Sequence, residues 1–176
     1  MNVAPIRPDN VREVPVETAD RKWRVLFLCT GNSCRSQMAE GWANALHSKQ
    51  VEAHSAGTSP HGLNPRAVQA MREAGVDISA HRSKHIDEFK NIDLDCIVTV
   101  CDSAAESCPV FSSATMVIHR SFDDPPKLAL HAVNEEDAMI PYRRVRDEIR
   151  SFIAELPIRL AEVLDPVLRK EVRNEP

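Results

Sequence analysis

The sequence predicts an α/β fold, a four-stranded parallel sheet with helices on both faces. Three observations carry that reading. Short apolar runs are separated by longer segments whose apolar residues recur at helical spacing. The first run, Val25-Leu26-Phe27-Leu28, is apolar without alternation, as a central strand covered on both faces must be. Strand and helix patterns then alternate along the chain, the order that builds parallel sheets through crossovers.

Residues 1–22 carry three prolines and mixed charge with no apolar period. They read as a flexible arm ahead of a single domain over residues 23–165. After the first strand, Met38, Ala39, Trp42, Ala45 and Leu46 form one stripe of a helix from Ser36 to Ser48. Val51 to Ser55 is the second strand, and Ala56-Gly57 leads out into a loop. Asn64-Pro65 is a helix start, an N-cap followed by proline at the first helical position. Ala67, Val68, Met71 and Ala74 form its apolar stripe, and Gly75 fits the C′ position. Asp95 to Val100 and Thr115 to His119 are the third and fourth strands. Residues 120–139 read as loop with some helical content. From Tyr142 to Leu164 the spacing of Val145, Ile149, Phe152, Ile153, Leu156, Leu160 and Val163 predicts a long amphipathic helix, which Pro157 should bend or split. The tail, residues 166–176, is expected to fray.

At 176 residues the chain is long enough for one well-filled domain. Lys and Arg number 22 against 26 Asp and Glu, a net charge of −4, so no global basic field points to nucleic acid. No apolar stretch approaches the roughly 18 residues that span a bilayer, and the N-terminus lacks the apolar core of a signal peptide. The expectation is a cytoplasmic monomer that touches no membrane. In a reducing compartment its five cysteines are reactive, metal-binding or buried rather than a static disulfide framework. The seven histidines show no HExxH or other tight pair, so no metal site is expected.

The stretch CTGNSCRS, residues 29 to 36, carries the chemistry. It places Cys29 at a strand end and Arg35 at the start of a helix, in the pattern C-x5-R-S. A loop from Thr30 through Gly31, Asn32, Ser33 and Cys34 to Ser36 can turn several backbone N–H groups inward as an anion nest. Arg35 adds a planar fork of donors that grips two oxygens. That positive field favours the thiolate at Cys29, and the Ser36 hydroxyl is placed to donate to it. Gly31 and Asn32 are the residues most tolerant of the positive φ such a nest needs. The competing reading is a buried strand-end cysteine with an arginine that only caps the surface. Cys34 reads as small filler within the loop.

VTVCDSAAESCPV sets Cys101 and Cys108 seven residues apart after the third strand. In a helix the two thiols share a face but lie roughly 10 Å apart, and a disulfide needs Cα atoms within about 7 Å. Pairing therefore requires the segment to rearrange, which is the behaviour of a redox relay. Two structural cysteines remain an alternative; zinc fits the spacing poorly. Phe122-Asp123-Asp124-Pro125 offers a proton donor, and by chemistry alone either Asp serves, or both are solvated turn residues.

Together CTGNSCRSQMAEG, HSAGTSPHGLNPRAVQAM, FDDP and RVRDEI resemble the thioredoxin-coupled arsenate reductases that share the low-molecular-weight protein tyrosine phosphatase fold. The resemblance runs from Arg24 to Phe152 and implies that family's flavodoxin-like topology. It also implies a sequence of thiol steps. Cys29 attacks arsenate held in the loop, Cys101 attacks Cys29 and releases arsenite, and Cys108 attacks Cys101. The resulting Cys101–Cys108 disulfide is handed to thioredoxin, with no tightly bound cofactor. The family pattern points to Asp124 as the acid. Some family members bind potassium beside the loop through an Asn, a Glu, a Ser and an Asp. Asn32, Glu40 and Ser55 match the first three, whereas Lys84 takes the place of the Asp, so potassium dependence is not expected. The rival readings are a low-molecular-weight tyrosine phosphatase using Cys29, Arg35 and Asp124 alone, and a non-catalytic thiol or oxyanion sensor.

Overall fold

A computed structural model describes residues 21–106 and 115–164. The chain runs β1 (Trp23–Cys29), α1 (Arg35–His47), β2 (Val51–Gly57), α2 (Pro65–Glu73), β3 (Cys96–Thr99), α3 (Asp102–Glu106), β4 (Met116–His119), α4 (Pro125–Leu128), α5 (Glu135–Ala154) and α6 (Leu156–Leu164). The sheet order is β2-β1-β3-β4, and every pairing is parallel. From β1 the chain crosses to one side for β2 and then returns to the other side for β3. That reversal opens a crevice beyond the carboxyl ends of β1 and β3, the place where such sheets hold ligands.

The unbroken apolar run predicted for β1 reflects its central position. Val25, Leu26, Phe27 and Leu28 are all fully buried. The strand starts two residues earlier than the apolar run because Trp23 and Arg24 pair with Val51 and Glu52. Arg21, which the sequence assigned to the arm, is tied to the body by a bidentate bond to Asp95, with N–O distances of 2.8 and 2.7 Å. Residues 1–20 and the tail from 165 onward lie outside the described residues, as does Cys108.

Asn64 caps α2 as its sequence implies, accepting from the N–H groups of Arg66 and Ala67, and Gly75 takes φ +83 just beyond the helix. In α1 the expected stripe is corrected: Ala45 is exposed, while Ala43 and His47 are buried. The first two turns of α1 are buried on all sides because α5 packs across the face that β1 and β2 leave open. Trp42 Nε1 donates to the Arg146 carbonyl at 3.2 Å, joining the two helices.

The long C-terminal helix begins seven residues before the expected Tyr142. Asn134 caps it by accepting from the Asp137 N–H, and Glu135, Glu136 and Asp137 put negative charge at the positive end of the dipole. Pro141 is accommodated inside it. The expected break near Pro157 is present: α5 ends at Ala154, and Pro157 is the second residue of α6, where a missing N–H costs nothing. No helix among the described residues is long and apolar enough to cross a membrane.

His47 links α1 to the end of α5 through its Nε2, 2.9 Å from the Ile153 carbonyl. Burial lowers its pKa below the ordinary histidine value, only partly offset by the nearby carbonyls of Ile153 and Ala154. The unfolded chain therefore binds a proton that the folded chain refuses. Stability is full above about pH 6.5 and falls as pH drops toward the lowered folded value. His47→Gln, which keeps a donor for Ile153, is expected to shrink the loss of stability between about pH 7.5 and about pH 5.5. Urea unfolding at the two pH values checks this, and an unchanged loss would contradict it.

Candidate functional site

β1 ends at Cys29, and the chain turns through residues 30–34 into α1 at Arg35. Asn32 is the pivot of that turn. It is fully buried and has φ 43, the one non-glycine residue in the left-handed region among those described. Gly31 does not share that conformation. The positive φ expected at both positions is therefore needed at only one.

The hydrogen bonds around Cys29 have a definite direction. Ser55 Oγ donates to Glu40 Oε2 at 2.5 Å, so its oxygen is free to accept from Asn32 Nδ2 at 2.9 Å. Asn32 Nδ2 also donates to Ser36 Oγ at 2.9 Å, which leaves the Ser36 hydrogen for Cys29 Sγ, 2.9 Å away. The Asn32 N–H donates to the same sulfur at 3.1 Å. Sulfur thus receives two donors, the Ser36 hydroxyl and the Asn32 N–H. Cys34, by contrast, is 3% exposed and its thiol is pushed up by burial, with Arg35 opposing only in part. It packs as filler.

Gly57 closes the loop from the β2 side. A Cβ there would meet the Thr30 carbonyl oxygen at 2.5 Å and the Asn32 nitrogen at 2.8 Å, both backbone atoms that cannot yield cheaply. Beyond it the chain runs along the loop and is laced to it. Thr58, Ser59, His61 and Asn64 donate backbone N–H bonds to the carbonyls of Cys29, Thr30, Gly31 and Ser33.

On the other side of the crevice, Val100 N–H bonds the Leu28 carbonyl at 2.9 Å and sets Cys101 beside the loop. Cys101 Sγ lies 3.7 Å from Thr30 Oγ1, the hydroxyl next in sequence to Cys29. The two aspartates separate cleanly. Both line the cavity, but Asp123 is paired with Arg144 at 2.7 Å, whereas Asp124 meets Arg35 at 3.2 Å. The other fork nitrogen of Arg35 donates to the Phe122 carbonyl at 2.9 Å. Cys29, Arg35, Cys101 and Asp124 line one cavity of about 620 Å³, with His61 and Lys127 also on its wall.

The positions matched to a potassium site also converge. Lys84 Nζ lies 3.2 Å from Glu40 Oε2, and the Lys84 backbone N–H bonds Asn32 Oδ1 at 2.7 Å. An ammonium from the chain thus neutralises the carboxylate on which Ser55 and Asn32 depend. Gln37, Ser83 and His81 complete the support. Gln37 Nε2 reaches Asn32 Oδ1 and its carbonyl at 3.0 Å each, Ser83 Oγ donates to that carbonyl at 2.6 Å, and His81 Nδ1 is 3.0 Å from Gln37 Oε1. Sequence reasoning missed Gly57, Gln37, Ser83 and the place of His61. Gly57 and His61 lie in or beside the quoted HSAGTSPHGLNP stretch, but no side-chain chemistry marks either.

Lys84→Met is expected to cost about 3 kcal/mol, because it strands the buried Glu40 carboxylate. Wild-type turnover should be the same in potassium and sodium salts of equal strength. A severalfold rise specific to potassium would show that Lys84 does not fill the cation position.

The matching family model, low molecular weight phosphotyrosine protein phosphatase, covers residues 24–174. An arsenate reductase of Bacillus licheniformis is 48% identical over 128 residues, 73% of this chain and 90% of the relative. One of Bacillus subtilis strain 168 is 45% identical, over 74% of this chain and 92% of the relative. Among solved structures, an arsenate reductase in its phosphate-binding state aligns with TM-score 0.60 and 27% identity, covering 78% of this chain and 98% of that one. The low molecular weight protein tyrosine phosphatase of T. tengcongensis aligns with TM-score 0.61 and 29% identity, over 78% and 99% of the two chains. The chain belongs to the low molecular weight phosphotyrosine protein phosphatase family, among relatives that include arsenate reductases.

Proposed function

We propose that this protein is an arsenate reductase that works through three thiols and is returned to its reduced form by thioredoxin. The observation that carries this reading is the placement of Cys29 and Cys101 at the ends of neighbouring strands, on the wall of one cavity. The loop backbone, the N-terminus of α1 and Arg35 hold the oxyanion. The Cys29 thiolate attacks arsenic(V), an As–O bond breaks, and Asp124 gives the departing oxygen its proton so that water leaves. Cys101 as thiolate then attacks Cys29 sulfur. The S–As bond breaks with its electron pair going to arsenic, which departs as arsenite, and a Cys29–Cys101 disulfide remains. Attack by Cys108 on Cys101 frees Cys29, and the dithiol of thioredoxin reduces the Cys101–Cys108 bond. Such a cycle suits a monomer in the reducing cytoplasm, with no tightly bound cofactor.

The geometry supports Asp124 over Asp123 as the acid, since only Asp124 meets Arg35 on the cavity wall. A tyrosine phosphatase would use Cys29, Arg35 and Asp124 without Cys101, and the relatives at 45% and 48% identity named above are arsenate reductases.

Turnover with arsenate, thioredoxin, thioredoxin reductase and NADPH, followed by NADPH loss, tests the scheme. Wild type turns over many times. Cys108→Ser should stall after one arsenite per enzyme with Cys29–Cys101 trapped, and Cys29→Ser should release none. Full turnover by Cys108→Ser would sink the relay. Asp124→Asn should slow arsenite release by about 10²-fold or more, and Asp123→Asn by only a few-fold.

A further inference from the structure

Glycine at position 31 has no backbone reason to be there. Its φ lies outside the left-handed region, so other residues could adopt its conformation. The reason is space. A Cβ on Gly31 would come within 2.1 Å of His61 Nε2, 2.6 Å of Cδ2 and 3.0 Å of Cε1. The nitrogen apex of the imidazole is thus set against the loop between Cys29 and Arg35. The His61 N–H bonds the Gly31 carbonyl at 3.2 Å, and Gly62, at φ +97, turns the chain away immediately afterwards. Two glycines and a backbone bond therefore hold one side chain in place on the cavity wall. No side chain among the described residues bonds its ring.

Arg35 arrives with one fork nitrogen on the Phe122 carbonyl and another against Asp124, so its donors are already partly committed. A further donor at the rim would have work to do when a tetrahedral oxyanion enters. We propose that His61 is a specificity-determining residue of the oxyanion seat. Its ring N–H meets an outer oxygen of the anion over Cys29, and Gly31 stays small to admit the ring. The inference rests on reading the loop as an oxyanion seat. The ring is one wall of a cavity whose other charged and titratable lining groups are Cys29, Cys34, Arg35, Cys101, Asp102, Asp123, Asp124 and Lys127.

The test is protection of Cys29 in the reduced full-length chain against alkylation by iodoacetamide, read by mass spectrometry of the Cys29 peptide. Inorganic phosphate and arsenate serve as protecting ions. His61→Ala should need about tenfold more of either ion for half-protection, the loss of one bond to a charged group. His61→Gln, which restores an N–H donor, should return to within about twofold of wild type. Gly31→Ala should match His61→Ala, and the double variant should be no worse than His61→Ala alone. In turnover, the KM for arsenate should rise by a similar factor while kcat stays within about twofold. Protection of His61→Ala within twofold of wild type overturns the inference, as does a His61→Gln variant no better than His61→Ala. So does a Gly31→Ala loss that adds fully to that of His61→Ala. Wild type unprotected by either ion would overturn the oxyanion seat itself, a failure distinct from the others.

Discussion

The carboxamide of Asn32 is fully buried, and every polar atom it carries is engaged. Its two amide hydrogens go to Ser36 and Ser55, and its oxygen receives the Lys84 N–H and Gln37. Its own backbone N–H points at the sulfur of Cys29. One residue therefore joins β2, α1 and the segment around Lys84 to the thiol. A buried network of this kind is rigid only while each member is satisfied, because a stranded donor or acceptor costs about 1–3 kcal/mol. The left-handed backbone at Asn32 is affordable for the same reason, since the bonds around it over-determine its geometry.

Glu40 is the anionic end of that network and sits at 9% exposure. A buried carboxylate without a partner charge is costly, so a cation belongs beside it. Here the cation is covalently part of the chain. A tethered ammonium adds no binding equilibrium to the order of the loop, whereas a free ion would make that order depend on ionic conditions. The Lys84 side chain and its backbone N–H act on two different members of the network, which ties the charge to the pivot residue.

How much of this was legible depended on the range of the forces involved. The strands and α2 were readable because local rules decide them: an unbroken apolar run, an Asn-Pro cap, a glycine stop. The early start of α5 was not, because Pro141 and a mixed stretch obscured a helix whose stability comes from packing on α1. In the site, Cys29 and Arg35 stood out because the proposed anion seat is built from contiguous residues. The choice between Asp123 and Asp124 rested on resemblance, since Arg144, some twenty positions away, is what pairs with Asp123. Gly31 was assigned a conformational role it does not have. Its neighbour across the loop, a lone histidine, carries no sequence signature at all.

The sheet itself supplies the distance scale for the thiol chemistry. Neighbouring strands lie about 4.8 Å apart, and β1 and β3 become neighbours only because the chain reverses its crossover direction after β2. Cys29 ends β1 and Cys101 follows β3 by two residues, so the first exchange of the proposed relay would span one strand spacing along a rigid frame. The second proposed exchange is set along the chain rather than across the sheet, with Cys101 at the threshold of α3 and Cys108 seven residues on in the sequence. On the proposed relay, the pairing of β1 with β3 is what makes Cys101 the first thiol to meet Cys29.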